Sequence, residues 1–191
     1  MYGTGPQAVV NILQDNWQAT RTGRPDVPDV LRDGSNNPSS DPADATEPGR
    51  ILILKNREEV ATKGSVFDTI HCYAPEADAG VWEDTGYKEE RVVEGVQVDI
   101  DLTDRTDPDT GERVTARERM IGDRDAASFS GVDPPYPGIL GEVKYIFETV
   151  RRGYEEYDTV SVTPLGKTLK NSDATVRLDV ELEVIAKNTV Q

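Results

Sequence analysis

The chain has 191 residues, enough for one domain with a real core, but only 36% of them are apolar, where about 45 to 50% is typical. Its 36 acidic and 21 basic residues give a formal net charge of -15, which excludes general binding to nucleic-acid phosphates. No apolar run approaches the ~18 residues that span a bilayer, and a single cysteine excludes an internal disulfide. We therefore expect a soluble protein made without export.

The acidic excess has two interpretations. One is a solvated surface with an ordinary acidic bias. The other is adaptation to molar salt, where the Debye length falls to roughly 3 Å and repulsion between surface charges is screened. Asp outnumbers Glu, Arg outnumbers Lys by about two to one, and there are only three Phe residues. These biases favour a halophilic source.

A first helix is predicted from Gly5, with Pro6 at the first helical position, where its missing N–H needs no partner. Its apolar stripe ends near Gln18. Residues 19–49 then contain five X-Pro pairs among Ser, Asn, Asp and Gly, so they are predicted to form an extended proline-rich loop.

This long loop again has two interpretations, since a structureless connection of about thirty residues is uncommon inside a compact domain. It is either a surface loop or an extended arm that becomes ordered on a neighbouring subunit. In the second case we expect Val27, Val30 and Leu31 to be the anchoring side chains.

Three strands are predicted next, over residues 50–55, 65–73 and 89–103, the last with clear alternation of apolar and polar residues. A reverse turn at 107–111 and a return strand over 112–120 would form a hairpin that projects from the sheet. Including the loop after it, this projection spans residues 103–135.

The last third of the chain fixes the architecture. Apolar residues recur at three and four residue steps from Gly138 to Tyr157, which predicts an amphipathic helix. A short strand over 159–163 and a turn over 164–173 lead to a strictly alternating strand from Thr175 to Ile185. The whole chain, 1–191, is thus predicted to be a single α+β domain. We expect an antiparallel β-sheet with two helices packed on one face, a long projecting β-hairpin and the extended proline-rich loop.

No catalytic set, cofactor site or metal site is predicted. His71 is the only histidine, and Cys72 beside it would face the other side of a strand, so the two cannot act together. Five Asp residues between positions 99 and 109 could suggest calcium, but their spacing does not fit a calcium-binding loop, and turn chemistry explains the DPDTG segment.

One patch is basic although the chain is acidic overall, because four arginines lie within twelve residues of the predicted hairpin. They are Arg113, Arg117, Arg119 and Arg124. The first interpretation is a mixed-charge solvated hairpin. The second is a contact surface for an acidic partner, since bidentate Arg–carboxylate pairs withstand salt when they are desolvated.

The order of these elements resembles the tail terminator proteins of long-tailed viruses and, more loosely, other head-tail completion proteins. The similar segments are AVVNILQDNW at the start, YPGILGEVKYIFETVRRGY in the second helix and SDATVRLDVELEVIAKN at the end. The resemblance implies a structural virion protein, made in the host cytoplasm, that forms a ring, commonly a hexamer, at the head-proximal end of the tail tube. Its partners would be other copies of itself, the tail tube protein and neck or connector proteins.

Two functions of other classes stay open. One is a small-molecule enzyme of a halophile with a pocket between helix and sheet, and the other is a binding module that uses the arginine-rich hairpin. A ring subunit agrees better with the sequence, because its exposed sheet edges, arm and hairpin could all be covered by neighbouring subunits.

Overall fold

The computed structural model describes residues 5–18, 27–44, 50–55, 68–75, 81–84, 89–106, 110–122, 138–155, 157–170 and 172–187. The elements in chain order are α1 (Gly5–Asn16), a short 3₁₀ helix (Pro42–Asp44), β1 (Ile51–Leu54), β2 (Asp68–Tyr73), β3 (Val81–Asp84), β4 (Glu89–Thr103), β5 (Arg105–Thr106), β6 (Arg113–Val114), α2 (Ala116–Ile121), α3 (Gly138–Thr149), β7 (Thr159–Leu169) and β8 (Asp173–Lys187). No helix within these ranges is long and apolar enough to cross a membrane.

Six strands form the main sheet, and five of them lie in the order β1-β2-β4-β8-β7. The sixth strand, β3, pairs with the first part of β4, on the same side of β4 on which β2 pairs with its last part. The predicted α+β class is confirmed. One pair, β1 with β2, is parallel, so the sheet is mixed and not purely antiparallel. Residues 55–67 lie between these two strands, and a parallel pair needs a crossover of about a dozen residues or more.

Alternation along β4 and β8 builds the core. Val98 lies opposite Leu178 and Ile100 opposite Val176, and all four are buried. Helix α1 contacts β1, β2 and β4, α2 contacts β4 and β8, and α3 contacts β7, and all three helices add to one apolar cluster. The three helices therefore cover one face of the sheet, where two were predicted, and the additional one is α2. We call the opposite face the open face, since the described elements place no helix on it.

The end of α3 differs from its prediction. The helix ends at Thr149 instead of continuing to Tyr157, and the chain then turns through Gly153, which adopts a φ of 129°. Tyr154 and Tyr157 each donate their backbone N–H to the carbonyl of the other, both at 3.0 Å. This tight turn leads directly into β7.

Strand β7 is longer than predicted. It continues through Pro164 to Leu169, and the pairing with β8 shifts in register between Pro164 and Gly166. A β-bulge of this kind takes up an extra residue at a proline or glycine without ending the strand. The turn predicted over residues 164–173 is therefore wrong for most of its length.

The return strand predicted over residues 112–120 is also wrong. Only Arg113–Val114 pairs with β5, and helix α2 begins directly after Thr115. The Thr115 hydroxyl accepts the backbone N–H of Glu118 at 3.2 Å, and the Glu118 carboxylate accepts the backbone N–H of Thr115 at 2.9 Å. This reciprocal capping box fixes a helix start. The rest of the predicted projection, 107–109 and 123–135, lies outside the described residues.

Part of the proline-rich loop adds to the edge of the sheet. Val30 forms a parallel bridge with Ile51, Leu31 donates its N–H to the Ile51 carbonyl at 2.8 Å, and Ile51 donates to the Asp29 carbonyl at 3.0 Å. Residues 29–31 thus pair with the β1 edge at Ile51 from within the same chain.

The predicted anchors of an intersubunit arm are consequently core residues of their own subunit. Val27 and Val30 belong to the main apolar cluster, and Leu31 packs with two leucines of β1 in a second cluster. The prediction that these three side chains insert into a neighbour is corrected, because each is at least 97% buried here. Residues 19–26 and 45–49 of the loop lie outside the described ranges.

Candidate functional site

The open face carries a buried carboxylate near its centre. Asp99 of β4 is fully buried and lies in register between His71 of β2 and Arg177 of β8. Arg177 donates from Nε and Nη2 to its two oxygens, both at 2.7 Å, and the Tyr73 hydroxyl donates at 2.9 Å. The hydrogen bonds and charge of Asp99 raise the pKa of Arg177 above its ordinary value. The bidentate pair also holds the guanidinium in one orientation.

Asp101, two residues along β4, links the same strands. Its Oδ1 accepts the Thr175 hydroxyl at 2.8 Å, and its Oδ2 lies 3.9 Å from Nε2 of His71. His71 is buried on the open face, whereas Cys72 is buried in the core on the other face, so the prediction that they face opposite sides is confirmed. Burial in the core raises the pKa of the Cys72 thiol.

The Asp residues between positions 99 and 109, which could have suggested calcium, bind different partners where the structure describes them. Asp104, beyond the end of β4, accepts a hydrogen bond from Nε of Arg113 at 2.6 Å, whereas Asp99 and Asp101 bind the partners described above. Among the described residues, no group of three or more His, Cys, Asp or Glu side chains could hold a metal ion. Asp107 and Asp109 lie outside those residues.

Beside the Asp99 network, the bulge in β7 opens a groove of about 430 Å³ on the open face. Its floor is formed by Gln97, Thr175 and Arg177, and its wall by residues 165–168. Gly166 lies opposite Arg177 in register, and a Cβ added there would meet nothing within 4 Å. The glycine therefore leaves this space empty, and we call it the β7 groove.

The β7 groove offers positive charge in an acidic chain. Arg177 lines the groove and uses Nε and Nη2 on Asp99, which leaves Nη1 without a hydrogen bond to Asp99, and 41% of the side chain is exposed. Lys167 is exposed and forms no ion pair within the described part of the chain. The groove can therefore bind a carboxylate or another anion through two cationic groups.

The arginines of the predicted patch do not form one exposed surface, because some side chains are exposed and one is buried. Arg113 is 65% exposed in its side chain and forms an ion pair with Asp104, and Arg117 is exposed on α2. Arg119 is only 7% exposed, so its prediction as a surface contact residue is wrong. Arg124 lies outside the described residues. Two residues apart on a helix, Arg117 and Arg119 point to different sides, which the charge pattern alone did not distinguish.

Arg119 belongs to a buried ionic cluster with Asp68 of β2. It donates from Nη1 to Oδ1 of Asp68 at 2.8 Å and to the Thr103 carbonyl at 2.6 Å, and from Nη2 to Oδ2 of Asp68. Nη2 of Arg105 in β5 lies 3.1 Å from the same Oδ2. Burial lowers the pKa of Arg105, Asp68 opposes this shift, and Arg119 adds to it. One carboxylate thus fixes both α2 and the β5–β6 hairpin to the sheet.

Neither the β7 groove nor the Asp68 cluster was predicted from the sequence. A signal existed for the first, because Arg177 is the only base among the polar positions of β8 from Asp173 to Glu183. The Asp68 cluster joins residues 51 positions apart, and no local pattern indicates such a pair.

No protein-family model matches this chain, and comparison with curated protein sequences finds no significant match.

Proposed function

We propose that this protein is a structural component of a virion from a halophilic host, and that it forms a ring at the head-proximal end of a viral tail tube. There it ends tail growth and joins the tail to the neck. Each subunit contacts neighbouring copies, the tail tube protein and neck or connector proteins, with six copies in the ring. In this role the protein is not an enzyme.

The observation that carries the proposal is the difference between the two flanks of the sheet. The β1 flank is paired at Ile51 with residues 29–31 of the same chain through two hydrogen bonds. The β7 flank is an 11-residue edge strand beside which the described residues place no further strand, and it carries the β7 groove. A ring needs heterologous contacts, in which two different surfaces of each subunit meet. A sheet with two dissimilar flanks supplies such a pair of surfaces.

A second observation supports contact with another virion component at one end of the sheet. Arg113 and Arg117 are exposed beyond the end of β4, on the β5–β6 hairpin and on α2. Both elements are held by the buried Asp68 cluster. A rigid base lowers the entropy cost of docking, since little has to become ordered on binding.

Electron microscopy of virus particles tests this role. Without the protein we expect tails of abnormal length and heads without tails, and the wild-type protein should restore normal particles. The Arg113→Ala, Arg117→Ala double variant should still form rings but leave tails and heads separate. A matched variant at Arg151 and Arg152, two exposed arginines after α3, should restore normal particles.

Normal particles in the complete absence of the protein would contradict the proposed function. Normal particles with the Arg113, Arg117 double variant would contradict only the docking role of that end of the sheet.

A further inference from the structure

The β7 groove presents a guanidinium that is fixed before any ligand arrives. Arg177 is held by two hydrogen bonds to the fully buried Asp99, so its remaining Nη1 donor keeps one direction. An exposed ion pair normally loses much of its energy to side-chain ordering and to screening by salt. Both losses are smaller for a guanidinium that is already ordered and partly shielded by groove walls.

Two further polar groups point to an anionic ligand for the same groove. Lys167 in its wall has no ion pair, and Gln97 in its floor makes no side-chain hydrogen bond, within the described ranges. The next exposed lysine, Lys170, lies 3.8 Å from Asp173 and is not part of the groove. The chain has 36 acidic residues, yet Lys167 lines the same groove as Arg177 and has no carboxylate paired with it in the described ranges. This arrangement favours an anionic ligand.

The edge of β7 itself is not suited to adding another strand. The N–H of Val160 points away from β8 and donates to the Arg151 carbonyl at 3.3 Å, and Pro164 has no N–H. Proline and bulges are the features by which edge strands avoid pairing. A neighbour on this flank must therefore be bound through side chains, and the β7 groove supplies them.

The opposite flank of the sheet has the complementary charge. Residues 27–44, which pair with the β1 edge at Ile51, contain four aspartates and one basic residue, Arg32. Arg32 pairs with Asp29, but Asp33 and Asp41 form no ion pair in the described part of the chain. Hydrogen bonds from the backbone of Asn37 and Ser35 lower the pKa of Asp33, so it stays ionised.

We propose that the β7 groove of one subunit binds the acidic segment 33–44 of the next copy of this chain, with Lys167 and Arg177 contacting Asp33 or Asp41. The inference rests on the proposed ring and names its subunit contact. Each subunit offers the groove on one flank and the carboxylates on the other, as a heterologous contact requires. Segment 33–44 thus takes part in assembly while its apolar neighbours remain packed in their own subunit.

Cross-linking of the assembled wild-type protein tests the contact directly. An equal mixture of ¹⁴N- and ¹⁵N-labelled chains is assembled and treated with a carbodiimide, which joins an amine to a carboxylate that already touches it. We expect mixed-isotope links between Lys167 and residues 33–44. An assembled ring in which Lys167 links to a different segment, or to none, overturns the inference.

Charge reversal provides the second test, with sedimentation as the measurement. Lys167→Glu should weaken assembly by about tenfold or more, whereas Lys170→Glu, the same change outside the groove, should stay within about twofold. Adding Asp41→Lys to Lys167→Glu should restore assembly. Gly166→Gln should block the groove and leave the subunit folded, because a Cβ at Gly166 meets nothing within 4 Å.

The outcomes separate the two proposals. A wild-type chain that never assembles contradicts the ring itself. A ring that forms equally well with Lys167→Glu and with Lys170→Glu contradicts only the groove contact. A monomer that binds citrate through Lys167 would identify a small-molecule site and also overturn the groove contact.

Discussion

Arg119→Ala should destabilise the protein far more than Arg117→Ala, although the two arginines are two residues apart on the same short helix. Arg119 is 7% exposed and bound to the fully buried Asp68, whereas Arg117 is exposed and no ion pair involves it in the described ranges. The pair is a matched comparison, because the same side chain is removed from one helix.

The expected loss of stability follows from the carboxylate of Asp68, which stays buried after Arg119 is removed. Removing one partner of a buried ion pair costs about 3–5 kcal/mol, since an uncompensated charge remains buried. Arg105 still lies 3.1 Å from Asp68 in the variant, so we expect the lower end, about 3 kcal/mol. Arg119→Lys keeps the charge but not the bidentate geometry and should lie between the two. An exposed change such as Arg117→Ala should stay within about 0.5 kcal/mol.

Urea unfolding at constant molar KCl measures these differences without changing the ionic strength. With an m-value of about 2 kcal/mol per molar urea, Arg119→Ala should lower the midpoint by about 1.5 M and Arg117→Ala by less than about 0.3 M. Equal shifts for the two variants would refute the assignment of Arg119 to a buried cluster.

Four further outcomes are expected. Thr115→Ala should cost about 1 kcal/mol at pH 7. The backbone N–H of Thr115 and then its hydroxyl lower the pKa of Glu118, so the stabilisation from these hydrogen bonds is present above the unfolded pKa of about 4.3 and is lost as the pH falls through the lower folded value. Thr115→Ala removes only the part that the hydroxyl contributes, and the cost of the variant should be smaller at pH 3. Gly138→Ala should lower the free energy of unfolding by about 1–3 kcal/mol in the same urea assay. Gly138 has a φ of 72°, and a Cβ there would lie within 2.6 Å of the backbone at the end of α2. Gly34→Ala should be neutral, because a Cβ there meets nothing within 4 Å. The buried thiol of Cys72 should react with a thiol reagent only after unfolding, and fast labelling of the native protein would disprove its burial. The melting temperature should rise from about 0.1 M to above 1 M KCl, and a flat or falling value would argue against a halophilic origin.

The parts of the fold that could be predicted are those set by local periodicity. Alternation along β4 and β8 predicted both strands and their buried faces, since every second side chain is buried from Val96 to Leu102 and from Ala174 to Leu182. Helix α2 shows the limit of this approach. The capping-box sequence from Thr115 to Glu118 was present, but the preceding turn favoured a hairpin with a long return strand. Here a local capping signal outweighed the expected strand pairing.

The remaining features depend on contacts between distant parts of the chain. Prolines in 27–44 ruled out a regular strand, yet one parallel bridge to Ile51 is enough to bury Val30 and Leu31. The bulge at Pro164 and the partner of Arg119 also depend on a neighbouring element. Of the predicted contact residues, Arg113 and Arg117 are exposed, whereas the three aliphatic anchors and Arg119 are buried in their own subunit.

The most direct test of the proposed role is the mass of the purified protein in molar KCl, measured by sedimentation equilibrium and followed by negative-stain imaging. A ring predicts one closed species whose mass is independent of concentration. Six copies of the 21.0 kDa chain would give roughly 126 kDa and a ring with a central hole. A single species of 21.0 kDa at every protein concentration and at every salt concentration would contradict the ring.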